Sequence, residues 1–464
     1  MGQAKVRHLK VDALISLQPL MLNGSDMENG KIYRLTLVVL MVMLLVLVTF
    51  FFSMLYPLWD RRAPLKNDFK LSELEGMEFS NPIEKGAIMG AHWFGRVQRT
   101  DGSFIYIFDP DNGTEVTKYP YSIARHCGSI YPLVWAYQYT KDERYLDVAL
   151  HAAENIRELM RNDGDRRYIL NGGRSRLFDN ALALIAFCYL YNSTGNTDHL
   201  EDLTGLANLC MDLLDENGRF DYIFDPLLPD DFSENLMASG EALLGLGLAA
   251  EFTGSDRYLE GFERGLVYHI DRLTSNWMTN MSTEYYSWMS SAFSKGYELT
   301  GNRYYLEASY RLSDWLINRY YGAYFNAQGR PMEEVMREHP ELIGSFRTFP
   351  SMNSCTYSEG LGDVLHAAIM ANDTERIESY RSVLLNASMF IRNLMYDFED
   401  VLNLSQPHLT IGGFRHDLDD RVNTEMQWQS RWIRIDYTQH AIGALFRMLR
   451  NIPPDMIAGH YGII

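Results

Sequence analysis

The sequence predicts an all-α domain, an (α/α)6 barrel built from six helical hairpins, behind one apolar N-terminal span. Three observations lead there. A helix–turn–helix signature recurs along the chain, apolar helices rich in small residues alternate with amphipathic ones, and each kind of helix is counted six times. The expected order is a tail over residues 1–34, a transmembrane helix over 35–59, a linker over 60–80 and the barrel over 81–464.

Residues 35–59, LTLVVLMVMLLVLVTFFFSMLYPLW, contain no charged side chain. As a helix that run is long enough to cross the roughly 30 Å of bilayer hydrocarbon. A cleaved secretory signal has an apolar region of only about 7–15 residues ending at a small-residue site. Here Phe50, Phe51 and Phe52 run into Tyr56, Pro57 and Trp59, an aromatic cluster suited to a membrane interface. Lys and Arg flank the span on both sides, so the positive-inside rule gives no direction. Asn-x-Ser/Thr sequons at Asn112, Asn192, Asn280, Asn372, Asn386 and Asn403 favour a large domain outside the cytoplasm. The expectation is a single-pass membrane protein that meets the lipid bilayer through residues 35–59. Polar residues with Pro64 then make the linker.

The hairpins are clearest in YQYTKDERYLDVALHAAENIREL (137–159), LAAEFTGSDRYLEGFERGLVYHIDRL (248–273) and YELTGNRYYLEASYRLSDWLINR (297–319), with weaker copies over 189–214 and 366–391. In the Thr-Gly-polar turn, glycine ends one helix in the left-handed region and a polar residue starts the next. The first helix of a pair, as in ALALIAFCYLY, is apolar on all sides and so buried all round, while the second is amphipathic. Inner helices are expected near 128–140, 179–192, 234–252, 285–299, 357–371 and 437–450, and outer ones near 81–98, 142–161, 198–214, 256–274, 303–320 and 374–396. A closed double ring leaves no end repeat with a bare apolar face. An open superhelical array would hold a more regular period.

The net charge of −18 leaves no basic footprint for nucleic acid. Cys127, Cys188, Cys210 and Cys355 are too scattered for a C-x-x-C motif and read as core residues. No metal site is expected, since no H-E-x-x-H spacing occurs, and no cofactor.

The hairpin turns together with RHCGSIYPL (125–133), MASGEALLGLGLA (237–249), YSEGLGDVL (357–365) and RIDYTQHAIGAL (434–445) resemble the six-hairpin glycosidase-like superfamily over about residues 80–450. In places the chain is similar to the catalytic domain of glucuronyl C5-epimerases. That resemblance implies a carbohydrate as substrate.

Read from the residues, polar side chains gather where loops enter the inner helices, at one rim. The catalytic candidates are Asp179, Glu241, Tyr357, Glu359 and Asp436; the binding candidates are Arg125, His126, Asn180, Arg415, Trp428, Arg434 and His440. An acid at a helix start also serves as a cap, which is the structural alternative for Asp179 and Asp436. Glu241, amid Ala, Gly and Leu, needs a partner or an opening to water and is a candidate for a raised pKa. Asp436 and His440, four apart, share a helical face. Arg125 and Arg434 suit a carboxylate such as a uronic acid offers. Glu359, beside Tyr357 and Gly360 at a helix mouth, is expected to serve activity and add little stability. Sugar rings stack on aromatics such as Trp428 and Trp432. The expected function is a glycoside hydrolase with paired carboxylates; the alternatives are a uronate C5-epimerase or polysaccharide lyase with an Arg clamp, and a non-catalytic glycan-binding protein.

Overall fold

Twelve helices of sixteen residues or more stand among the described residues, and their order alternates between the two kinds expected from the sequence. The computed structural model describes residues 38–44, 63–66, 68–224, 234–275, 283–418 and 430–463. The chain divides into two units, Met1–Ala63 and Pro64–Ile464.

In the second unit the helices are α1 (Pro82–Val97), α2 (Ile123–Thr140), α3 (Glu143–Leu159), α4 (Leu177–Thr194), α5 (Thr197–Asp212), α6 (Leu236–Thr253), α7 (Asp256–Ser275), α8 (Thr283–Thr300), α9 (Arg303–Tyr320), α10 (Asn353–Met370), α11 (Thr374–Leu394) and α12 (Ile435–Asn451). The even-numbered helices pack each on the next, α2 on α4 through to α12, and α12 packs back on α2. That is a closed inner ring. The odd-numbered helices lie outside it, and α1, first in sequence, packs on α12, the last. The packing is possible because the inner helices carry small residues. On α10, a Cβ at Gly360 would run into Ser290 Oγ and the Ser287 carbonyl of α8.

The turns follow the sequence signature. Gly195, Gly254 and Gly301 close α4, α6 and α8 at φ 64°, 67° and 67°. Asn196 and Asn302 then cap α5 and α9 through their side chains. Lys141, at φ 62°, takes the glycine's place after α2.

Short strands escape the helical period and are absent from the sequence-based expectation. β1 (Ile107–Asp109), β2 (Thr114–Glu115) and β7 (Ile433–Arg434) form an antiparallel sheet in the order β2–β1–β7, with Ile107 opposite Arg434. β3 (Met160–Asp163) pairs β4 (Arg166–Ile169), and β5 (Ser175–Arg176) pairs β6 (Ile223–Phe224). β5 and β7 run directly into α4 and α12, which fixes where Asp179 and Asp436 emerge.

The expected membrane span is corrected here. Of residues 35–59 the structure describes 38–44, a helical stretch with exposed side chains; the other positions lie outside the described residues. Among the described residues no helix is long and apolar enough to cross a membrane. The placement as a single-pass membrane protein with an extracytoplasmic domain, and the lipid contact that went with it, are therefore withdrawn.

Candidate active site

The N-terminal ends of all six inner helices open on one cavity of about 480 Å³. Of the residues singled out from the sequence, Arg125, Glu241, Tyr357, Arg434, Asp436 and His440 line it. They come from α2, α6, α10, β7 and α12, so the closed ring converges side chains far apart in the chain.

Asp436 is the electrostatic pivot of one wall. Arg125 Nε donates to its Oδ2 at 2.9 Å, while Arg434 donates from Nε to Oδ1 at 2.5 Å and from its terminal nitrogen to Oδ2 at 2.8 Å. Burial raises the pKa of Asp436, yet the Arg434 and Arg125 guanidiniums outweigh it and hold the carboxyl well below the usual range. Arg125 also donates to the Tyr106 hydroxyl at 2.7 Å. A third guanidinium, Arg347, reaches the cavity from the connection between α9 and α10. Its backbone sits at φ 74°, a left-handed conformation that costs a non-glycine residue of order 1 kcal/mol or more.

His440 holds Nδ1 2.5 Å from Glu359 Oε2. Glu359 is buried beneath the cavity, and its Oε1 accepts from the Tyr131 hydroxyl at 2.6 Å and from Arg447 at 3.0 Å. Room for that carboxylate exists because α12 carries Gly443, where a Cβ would collide with Oε1. With Nδ1 tied to a carboxylate, Nε2 is the ring nitrogen left for acid–base work. Asp436 and His440 share a face as expected, but each takes another partner. Glu359 itself is not among the cavity-lining residues: α10 starts at Asn353, which sets Glu359 about 9 Å along the helix rather than at its mouth. Gly360 serves helix packing there, not ligand approach.

On the opposite wall stands Glu241. Burial, and then the charge of Asp179, push its carboxyl well above the ordinary value, which favours the protonated form. Asp179 lies behind it, raised to about 6 by burial although Arg176 pulls the other way. Glu241 Oε2 and Asp179 Oδ2 are buried without a hydrogen-bond partner among the described residues. A raised carboxyl pKa favours the folded state while protonated, a contribution that is full below the ordinary 3.8 and lost as pH rises through about 6. Asp179→Asn is therefore expected to match the parent near about pH 4 and to exceed it by on the order of 3 kcal/mol near about pH 8. Chemical denaturation at the two pH values reads this; a difference independent of pH would remove the buried-proton assignment.

Three binding candidates have structural roles instead. His126 is fully buried, with Nδ1 2.7 Å from the Tyr121 hydroxyl and Nε2 2.9 Å from the Ala152 carbonyl, and burial lowers its pKa to about 4. Asn180 accepts from the Ile169 amide and donates to Ser175 Oγ and the Arg176 carbonyl, which pins β4 and β5 to α4. Arg415 lies over the Tyr396 ring at 4.3 Å, 3.6 Å from Asp400. Trp428 lies outside the described residues. Sequence reasoning missed Arg347, Trp288 and Gln439 in the lining and Arg447 beneath it, and it offered Tyr131 as a sugar-stacking aromatic where the structure has its hydroxyl on buried Glu359. Arg447 carried a usable signal, a charge inside a buried helix seven residues after His440 and so on the same face.

Solved structures with the same architecture include a D-mannose isomerase, at 13% identity and TM-score 0.56 over 82% of this chain and 98% of that one. A GH76 α-mannanase of Bacteroides thetaiotaomicron aligns at 13% identity and TM-score 0.55 over 81% and 97%. An unsaturated glucuronyl hydrolase specific for heparin aligns at 11% identity and TM-score 0.53 over 80% and 97%. This chain has the six-hairpin glycosidase-like fold. No protein-family model and no curated protein sequence matches it. The six-hairpin fold hosts isomerisation and hydrolysis alike in those three, so chemistry has to be argued from the cavity.

Proposed function

We propose that the protein is a carbohydrate-active enzyme whose cavity takes a uronic-acid-bearing saccharide and moves a proton at the carbon beside its carboxylate, as a C5-epimerase or a lyase does. The observation that carries this reading is the charge of the cavity. Three guanidiniums, Arg125, Arg347 and Arg434, face one ionised carboxylate, Asp436, in a chain of net charge −18. Such local excess positive charge suits an anionic sugar.

The roles follow from the two walls. The guanidiniums take the sugar carboxylate and stabilise the negative charge that spreads onto it when the C5 proton leaves. His440 Nε2 accepts that proton, and Glu359 on Nδ1 stabilises the imidazolium that results. Protonated Glu241 then returns a proton, either to the opposite face of C5 or to a departing glycosidic oxygen. Tyr357 and Trp288 wall the ring.

Hydrolysis through paired carboxylates is the second reading, and Glu241 supplies its acid. It also needs an ionised carboxylate with an oxygen free to act on water or on the sugar. Both oxygens of Asp436 and of Glu359 are engaged by donors, and Asp179, whose Oδ2 has no partner among the described residues, does not line the cavity. Incubation with glucuronate- or iduronate-containing oligosaccharides in deuterium oxide separates the two. Proton transfer puts deuterium at C5 or yields an unsaturated uronate; new reducing ends with neither would sink the proposal.

A further inference from the structure

We infer that the barrel carries a second saccharide site at the mouth opposite the acid–base cavity, built for a neutral pyranose. The C-terminal ends of α2, α4 and α12 enclose a cavity of about 360 Å³ there. That falls in the range of roughly 300–1,000 Å³ typical of small-molecule sites. Its walls are aromatic: Trp135 stands edge-on to Tyr189 at 5.3 Å, and Tyr139 lies 6.0 Å from Phe446. Ring faces of this kind take the C–H face of a sugar, and the Gln138 amide at the same wall can meet its hydroxyls.

The charge differs from that of the first cavity. Arg447 and Arg450 both pair with Asp363, at 2.9 and 3.1 Å, and Arg447 also holds Glu359 at 3.0 Å. Burial works against ionised Asp363, but the two arginines pull it down to about 2. Two guanidiniums thus meet two carboxylates, which leaves no excess charge to select a uronate. Arg447 ties the two ends together. Its buried guanidinium lies 4.7 Å from the Trp135 ring while its Nη1 donates to the carboxylate that positions His440.

The inference rests on the carbohydrate reading above only for the class of ligand. Fluorine NMR of the full chain labelled with 5-fluorotryptophan tests it, since Trp288 reports on the first cavity and Trp135 on the second; Trp135→Phe and Trp288→Phe assign the two signals. Methyl glucoside and methyl mannoside are expected to move the Trp135 signal saturably and glucuronate to move Trp288. Tyr139→Ala, at the exposed rim, should weaken the Trp135 titration about fivefold and leave Trp288 unchanged. A Trp135 signal that no sugar moves, or that follows glucuronate as strongly as the neutral glycosides, overturns the second site whatever Trp288 does. Movement of Trp135 with a silent Trp288 keeps the second site and counts against the first.

Discussion

Replacing His440 by Gln is expected to lower the rate of C5 proton exchange on a uronate substrate by about 10²–10⁴-fold, the usual contribution of a positioned general base. Glutamine keeps an amide donor for Glu359, so the buried network below the cavity survives and the unfolding midpoint should move little. The loss should therefore fall on turnover, with substrate affinity set as before by Arg125, Arg347 and Arg434. Parent-like exchange in His440→Gln would take the base role from this residue and leave Glu241 as the acid–base group to build on.

Glu359→Ala is expected to cost about 3–5 kcal/mol of stability, because it strips a buried guanidinium of a partner. Arg447 stays in place with only Asp363, and the Tyr131 hydroxyl loses its acceptor. Adding Arg447→Met to that variant should recover part of the loss, since the uncompensated charge is gone. Urea unfolding of the single and double variants reads both effects. An unchanged midpoint in Glu359→Ala would return Glu359 to the role expected from sequence, an active-site group with little structural share.

That reversal shows where the sequence was legible. The barrel was, because the two kinds of helix differ in kind: α4 and α6 are apolar all round, whereas α7 shows a single apolar stripe. Part of the cavity lining was legible too, since Arg125, Glu241, Asp436 and His440 are charged or ionisable groups in otherwise largely apolar inner helices. Glu359 was placed wrongly along its helix because helix starts are the least certain part of a periodic pattern. Arg347 lies in a connection without period, and its backbone conformation leaves no trace in the residues around it. Trp288 looks like any core aromatic until the ring of helices turns it towards the cavity.

The closure of the inner ring by α12, on which the outer helix α1 also packs, bears on how the protein is made. Synthesis runs from the N-terminus, so α1 waits for a partner more than three hundred residues later in the chain. Until α12 arrives the inner ring has a gap, with apolar flanks of α2 and α10 bare, a state open to chaperones and to aggregation. Such long-range closure is slow, because the entropy of bringing distant segments together is lost before contacts compensate for it. The helix that seals the ring is also the one that delivers Asp436, Gln439, His440 and Arg447. Closing the toroid and completing the cavity wall are thus one event: no shorter nascent chain has the four side chains that α12 brings.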